Sequence, residues 1–204
     1  MKERPILMNG ESVLGIIDLR KTQTRQVIKG RIALDWLQPN TFTPRYVALP
    51  ENYLSPFGYC SDLLWVRETW GAVSKTEERT SLEECNIEYR ADLPAGCTDY
   101  PGGWPMEDAR GNDEAPRWRP SIFMPRWASR ITLKIINVRV ERLQDISDDD
   151  AEKEGFEYFG ETLLEPTPRE KFAKYWDSIN AKRVYTWDNN PWIWVIEFEK
   201  VKGK

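Results

Sequence analysis

The chain has 204 residues, 40% hydrophobic and 30% charged, with a net charge of −4 and no histidine. That length supports one sizeable core, read as a single domain over 1–204 with a loop-rich insertion at about 71–120, and the acidic balance argues against indiscriminate nucleic-acid binding. Without imidazole, Ser-His-Asp and Cys-His nucleophiles and the commonest zinc ligand are excluded, so a general base must be a carboxylate, a tyrosine or a lysine.

Pro5-Ile6-Leu7-Met8 reads as a short strand. Asn9 to Asp18 follows as a helix, with Val13, Leu14, Ile16 and Ile17 at roughly helical spacing. Leu19 sits where the chain leaves that helix, a place that favours a left-handed residue and therefore glycine. Lys21 to Ile28 reads as an exposed strand or turn, and Asp62 to Trp70 as one strand rich in aromatic and branched residues. Prolines and glycines interrupt every period between Ala91 and Pro120, which predicts a long loop. Ser129 to Leu143 is the clearest strand: Ile131, Leu133 and Ile135 alternate with polar residues, then Val138 and Val140 continue it. Ser147 caps a helix with Asp148, Asp149 and Asp150 in its first turn and Gly155 as its stop. Thr167, Pro168 and Glu170 open a second helix, whose stripe of Phe172, Tyr175, Trp176 and Ile179 is expected in the core. Pro191 to Val201 closes the fold as a strand.

Charge is unevenly spread. Residues 20–48 carry Arg20, Lys21, Arg25, Lys29, Arg31 and Arg45 against Asp35, and residues 117–142 carry seven cations against Glu141. Residues 143–170 hold ten carboxylates against Lys153 and Arg169. If the basic stretches meet they make a positive patch; otherwise each is a solvated face paired with acidic neighbours. Cys60, Cys85 and Cys97 lack zinc spacing and read as reduced thiols, so no metal and no cofactor is expected. No apolar run reaches membrane-spanning length, and Met1-Lys2-Glu3-Arg4 opens no signal core, so a cytoplasmic protein with no membrane partner is expected.

Lys21 and Thr24 stand three apart, a spacing that joins side chains at a turn and separates them on a regular strand. A lysine becomes a base when burial and neighbouring cations, here Arg20 and Arg25, favour its neutral form; it can then take the Thr24 proton and create a nucleophile. The alternative is a solvated turn. Glu154 lies in the last turn of its helix, where the dipole disfavours an anion and suits a group that gives or takes a proton. Arg67 and Glu68 are either a pocket pair or a cross-strand ion pair. Arg117-Trp118-Arg119 and Arg126-Trp127 alternate rings and guanidinium groups that stack on bases, unless the indoles cap the open end of a barrel.

Arg20-Lys21-Thr22-Gln23-Thr24-Arg25 after a helix, the strand Leu64 to Trp70, the helix Asp145 to Gly155 and the closing Trp194-Val195-Ile196-Glu197-Phe198 together resemble the ASCH family, in particular its longer phage and prophage members. The resemblance implies an α+β fold: a PUA-like β-barrel with flanking short helices and a long loop insertion. The family motif is Gly-x-Lys-x-x-Glu-x-Arg, often with Thr at the Glu position. Here Lys21 and Thr24 match, Leu19 replaces the glycine, Gln26 replaces the arginine, and Arg25 falls one place early. A small bacterial member hydrolyses N4-acetylcytidine with a lysine, a threonine three residues on and a glutamate on the helix before the last strand. The resemblance places those roles on Lys21, Thr24 and Glu154; the chemistry of Arg20, Arg25, Arg67, Glu68, Trp118, Arg126 and Trp127 makes them the substrate-binding candidates. It implies a nucleoside, modified base or single-stranded RNA as partner, a protein partner being unspecified, and an amidohydrolase of N4-acylated cytidine as activity. A non-catalytic reader of RNA or modified bases is the alternative, and a ribonuclease the next.

Overall fold

The computed structural model describes residues 1–30, 32–37, 41–74, 85–93, 101, 106–107, 113–114, 117–158 and 165–201. Most of the predicted loop from Ala91 to Pro120, Cys97 included, falls outside them. The fold is α+β. Its strands are β1 (Glu3–Leu7), β2 (Gln23–Val27), β3 (Leu63–Arg67), β4 (Trp70–Val73), β5 (Asn86–Tyr89), the two-residue β6 (Met106–Glu107) and β7 (Asp113–Glu114), β8 (Thr132–Arg142) and β9 (Trp192–Lys200). The helices are α1 (Gly10–Ile17), α2 (Pro44–Ala48), α3 (Asp148–Lys153) and α4 (Pro168–Asn180). Five strands form one sheet in the order β1-β3-β8-β9-β2, with β1 parallel to β3 and every other pair antiparallel. Among the described residues the edges β1 and β2 do not pair with each other.

β9 is covered on both sides. Trp194, Ile196 and Phe198 pack with Ile6, Val13, Ile16, Leu64, Leu133 and Ile135 into the main core beneath α1. Ile193 and Val195 point the other way, to Leu143, Ile146, Ala151, Phe172 and Trp176 beneath α3 and α4. Strand side chains alternate between faces, so this single strand seats one core on each.

β8 changes phase halfway along. Its register against β9 slips between Ile135 and Asn137. Before that bulge Leu133 and Ile135 face the main core; after it Val138 and Val140 do. The extra residue, Ile136, is exposed. A one-residue insertion turns every later side chain to the opposite face, which sends Arg139 and Glu141 to the α3 side of the sheet.

Three expectations need correction. Lys21, Gln23, Thr24 and Arg25 are buried rather than exposed, because β2 pairs along its length with β9 and lies under α3. The expected strand from Asp62 to Trp70 is two strands. β3 ends at Arg67, whose carbonyl accepts from Met8 N at 3.0 Å, and Trp70 exchanges backbone bonds with Arg119 at 2.7 and 3.2 Å instead. Trp70 and Ala72 thereby enter a third small core with Cys85, Met124 and Ala128. The stripe of α4 is also split: Phe172 and Trp176 are core, whereas Ile179 is exposed and borders a cleft, because the buried line of the helix runs at four-residue spacing through Pro168, Phe172, Trp176 and Asn180.

Candidate functional site

Lys21 is held from three directions. Asn9 starts α1 by accepting the Ser12 amide at 3.0 Å, and the helix ends with Leu19 in the left-handed region at φ 62°. That turn doubles the chain back so that Lys21 N donates to Gly15 O at 2.9 Å. A Cβ on Gly15 would lie 3.1 Å from the Lys21 Cβ, which is why the backbones can approach so closely. The next residue locks the loop to both layers: Thr22 N donates to Lys153 O at 2.8 Å, and Phe198 N donates to Thr22 O at 2.9 Å.

Glu154 arrives from the other side. Ser147 caps α3 by accepting the Asp150 amide at 3.1 Å, and Glu154 is the C-cap, followed by Gly155 at φ 102°. The Lys21 ammonium donates to the Glu154 carboxylate and, at 3.1 Å, to the Glu154 carbonyl. Both side chains are 3% exposed. An ammonium has three protons to give. The third has no partner among the described residues, and Lys21 borders a cleft.

Arg25 secures the same carboxylate from behind. Thr24 and Arg25 stand opposite Ile196 and Val195 of β9. Cross-strand pairs share a face, so Thr24 looks toward the main core and Arg25 toward α3. The guanidinium is fully enclosed and reaches Glu154 Oε1 at 3.2 Å, Asp150 Oδ2 at 3.1 Å and Glu141 Oε1 at 2.9 Å. Arg139 donates to Asp150 at 2.7 Å and Glu141 at 2.9 Å, and pairs with Glu197; Gln23 donates to Asp150 at 3.2 Å. Burial would raise the Asp150 carboxyl, but Arg139, Gln23 and Arg25 outweigh it and hold that group below its ordinary range. The two basic stretches do meet, through Arg25 and Arg139. They make a neutralised network with Asp150, Glu154, Glu141 and Glu197, not a positive patch.

A cleft of about 760 Å³ opens beside this network. Lys21, Thr24 and Glu154 line it, with Asn9, Ser12, Phe57, Tyr175, Tyr185 and Trp194 among the other walls. Asn9 Nδ2 donates to the Tyr175 hydroxyl at 2.8 Å, and the Ser12 and Tyr175 hydroxyls lie 3.2 Å apart. Burial pushes the Tyr175 phenol above its usual range, despite its bonds to Ser12 and Asn9, so it stays a neutral hydroxyl. Ser12, Glu154 and Tyr175 also border a smaller pocket of about 140 Å³.

The other substrate-binding candidates are elsewhere or already engaged. Arg20 pairs with Asp18 at 3.0 Å and borders the smaller pocket. Arg67, Glu68, Trp118, Arg126 and Trp127 do not line the large cleft. Glu68 takes both ends of Arg130 at 2.9 Å, and the same guanidinium reaches Asp92 and lies 3.9 Å from the Tyr89 ring, so Arg130, not Arg67, is its partner. Arg67 lies over Trp65 at 5.4 Å. Arg126 bonds Glu3 at 2.7 Å, Trp127 meets Trp70 edge-on at 6.0 Å, and Trp118 stands 6.0 Å from the Arg90 guanidinium. Of these contacts, that of Trp127 with Trp70 braces the third core. Arg25 borders the cleft, but its terminal nitrogens are given to carboxylates.

Sequence reasoning missed Gln23, Arg139, Glu141 and Asp150 as supports of Glu154, and the Asn9-Ser12-Tyr175 group as a wall. The break in alternation at Ile135-Ile136-Asn137-Val138 is the signal that would have turned Arg139 and Glu141 toward the site. Among the described residues no cluster of carboxylates and thiols suits a metal ion, and no helix is long and apolar enough to cross a membrane. Comparison with family models, curated proteins and solved structures returned no match.

Proposed function

We propose that this chain is an ASCH-type protein with a PUA-like barrel whose cleft binds a cytosine-like base and hydrolyses an amide on its exocyclic nitrogen. One observation carries the reading: a buried ammonium, paired to a buried carboxylate, has one donor left at the wall of a cleft that also holds a threonine. Aromatic and aliphatic walls with a few converging polar groups suit a flat heterocycle. The order of parts supports the ASCH reading, since the helix, the Lys-x-x-Thr turn, the acidic helix and the closing strand meet on one sheet.

The reaction requires one proton transfer within the pair, from the Lys21 ammonium to the Glu154 carboxylate, which leaves an amine beside Thr24. The Lys21 amine then takes the Thr24 proton as the hydroxyl oxygen attacks the acyl carbon. Glu154 returns its proton to the departing exocyclic nitrogen, which leaves as the free amine. After the same transfer within the pair, water gives a proton to the Lys21 amine as its oxygen attacks the threonyl ester, Glu154 gives a proton to the departing Thr24 oxygen, and the carboxylic acid is released. Arg25 is committed elsewhere, so the oxyanion is assigned to the hydroxyl proton that the Ser12–Tyr175 pair leaves unused once one hydroxyl has donated to the other.

The test is acetate release from N4-acetylcytidine by the purified protein. Lys21→Ala is expected to abolish it. Thr24→Val, which removes the hydroxyl while keeping volume and charge, is expected to lower kcat at least a hundredfold with the melting transition retained. Full turnover in Thr24→Val would remove the nucleophile from the scheme. Binding without turnover in the wild type would favour the reader of modified bases, and shortened RNA products the ribonuclease.

A further inference from the structure

Among the described residues, the charged groups lining the large cleft are four cations, Lys21, Arg25, Lys29 and Arg183, and one anion, Glu154. Two of the cations are neutralised. Lys21 is paired with Glu154, and Arg25 shares its charge among Glu154, Asp150 and Glu141. Lys29 and Arg183 differ: both are exposed, and neither has a hydrogen-bond or ion-pair partner among the described residues.

They come from separate elements. Lys29 lies just beyond the end of β2, and Arg183 ends the single turn Ala181–Arg183 that follows α4. A protein of net charge −4 therefore sets two uncompensated positive groups on the walls of the cavity that holds its buried ion pair. A neutral nucleoside gains nothing from them. A phosphate ester does, since a guanidinium fork and an ammonium point charge are the two side-chain groups best suited to its oxygens. The cleft, at about 760 Å³, has room for more than a base.

We propose that the ligand is phosphorylated: the cleft takes a nucleotide, its base toward Lys21 and Glu154 and its phosphate on Lys29 and Arg183. This rests on the base-binding reading above. The shared chemistry is a phosphate ester, from a 5′-mononucleotide or from the backbone of an RNA strand.

Three substrates separate these cases: N4-acetylcytidine, its 5′-monophosphate, and a short RNA with one internal N4-acetylcytidine. The expected kcat/KM for the monophosphate exceeds that for the nucleoside by about tenfold at low salt, and the advantage shrinks as salt screens exposed charges. Lys29→Ala with Arg183→Ala is expected to erase the advantage while nucleoside turnover and the melting transition stay unchanged. An RNA processed as well as the mononucleotide, or better, assigns the subsite to a phosphodiester; a poorer one assigns it to a free nucleotide. Equal kcat/KM for nucleoside and monophosphate, or an advantage that survives the double substitution, overturns the proposal. If no substrate is hydrolysed, the amidohydrolase reading fails by itself and calorimetric titration with cytidine 5′-monophosphate and with cytidine decides the subsite. Binding of the monophosphate alone, lost in the double variant, upholds it. Equal affinity for the two, or none for either, overturns it.

Discussion

Arg25 is the residue on which the buried charges depend. Removing one partner of an enclosed ion pair strands the other, which costs about 3–5 kcal/mol, and Arg25 serves Glu154, Asp150 and Glu141 together. Arg25→Ala is therefore expected to lower stability to urea by at least that amount. Arg25→Lys is expected to recover only part of it, because a single ammonium cannot reproduce the planar fork. At this scale the sequence was informative where a residue acts locally. Leu19 does occupy the left-handed turn expected of it. It was uninformative where partners come from afar: nothing in Arg126-Trp127 announces Glu3 and Trp70, and nothing in Glu68 announces Arg130.

Among the elements, the six-residue α3 has the most demanding task, since it holds Glu154 against Lys21. Ser147→Ala removes the cap on the Asp150 amide and is expected to cost about 1 kcal/mol of stability. With nucleoside turnover as readout, kcat should fall more than KM rises, because the cap sets the carboxylate and touches no substrate. Gly155→Ala should be harsher, as φ 102° lies in a region that an alanine avoids. The capped starts of α1, α3 and α4 were legible, including the Thr167–Glu170 capping box, whose two bonds measure 3.0 and 3.3 Å. Strand limits were less so. Alternation marks burial, not pairing, and from Asp62 to Trp70 it runs unbroken across a change of ladder. The meeting of β2 with α3 was not readable from spacing; family likeness alone joined Lys21 and Thr24 to Glu154.

Over the whole molecule, acid should loosen the layer formed by β2, β8, β9 and α3. Asp150 has a lower pKa folded than unfolded, where it sits near 3.9. Its contribution is therefore full above the usual carboxylate range and drains away as pH falls through the folded value. Asp150→Asn should be less stable than the wild type at neutral pH yet lose less on acidification, so that urea midpoints for the two converge below about pH 4. The composition showed segregated charge; only the bulge in β8 decided that it would be spent internally. Central placement of β9 has one more consequence. Among the described residues β2 has no neighbour in the sheet except β9, so a growing polypeptide that has already produced Val27 must wait for Trp192 to Lys200 before this edge can join. At ribosomal speeds that delay is roughly ten to thirty seconds, during which the lysine and threonine stay wet, unassembled and open to chaperones.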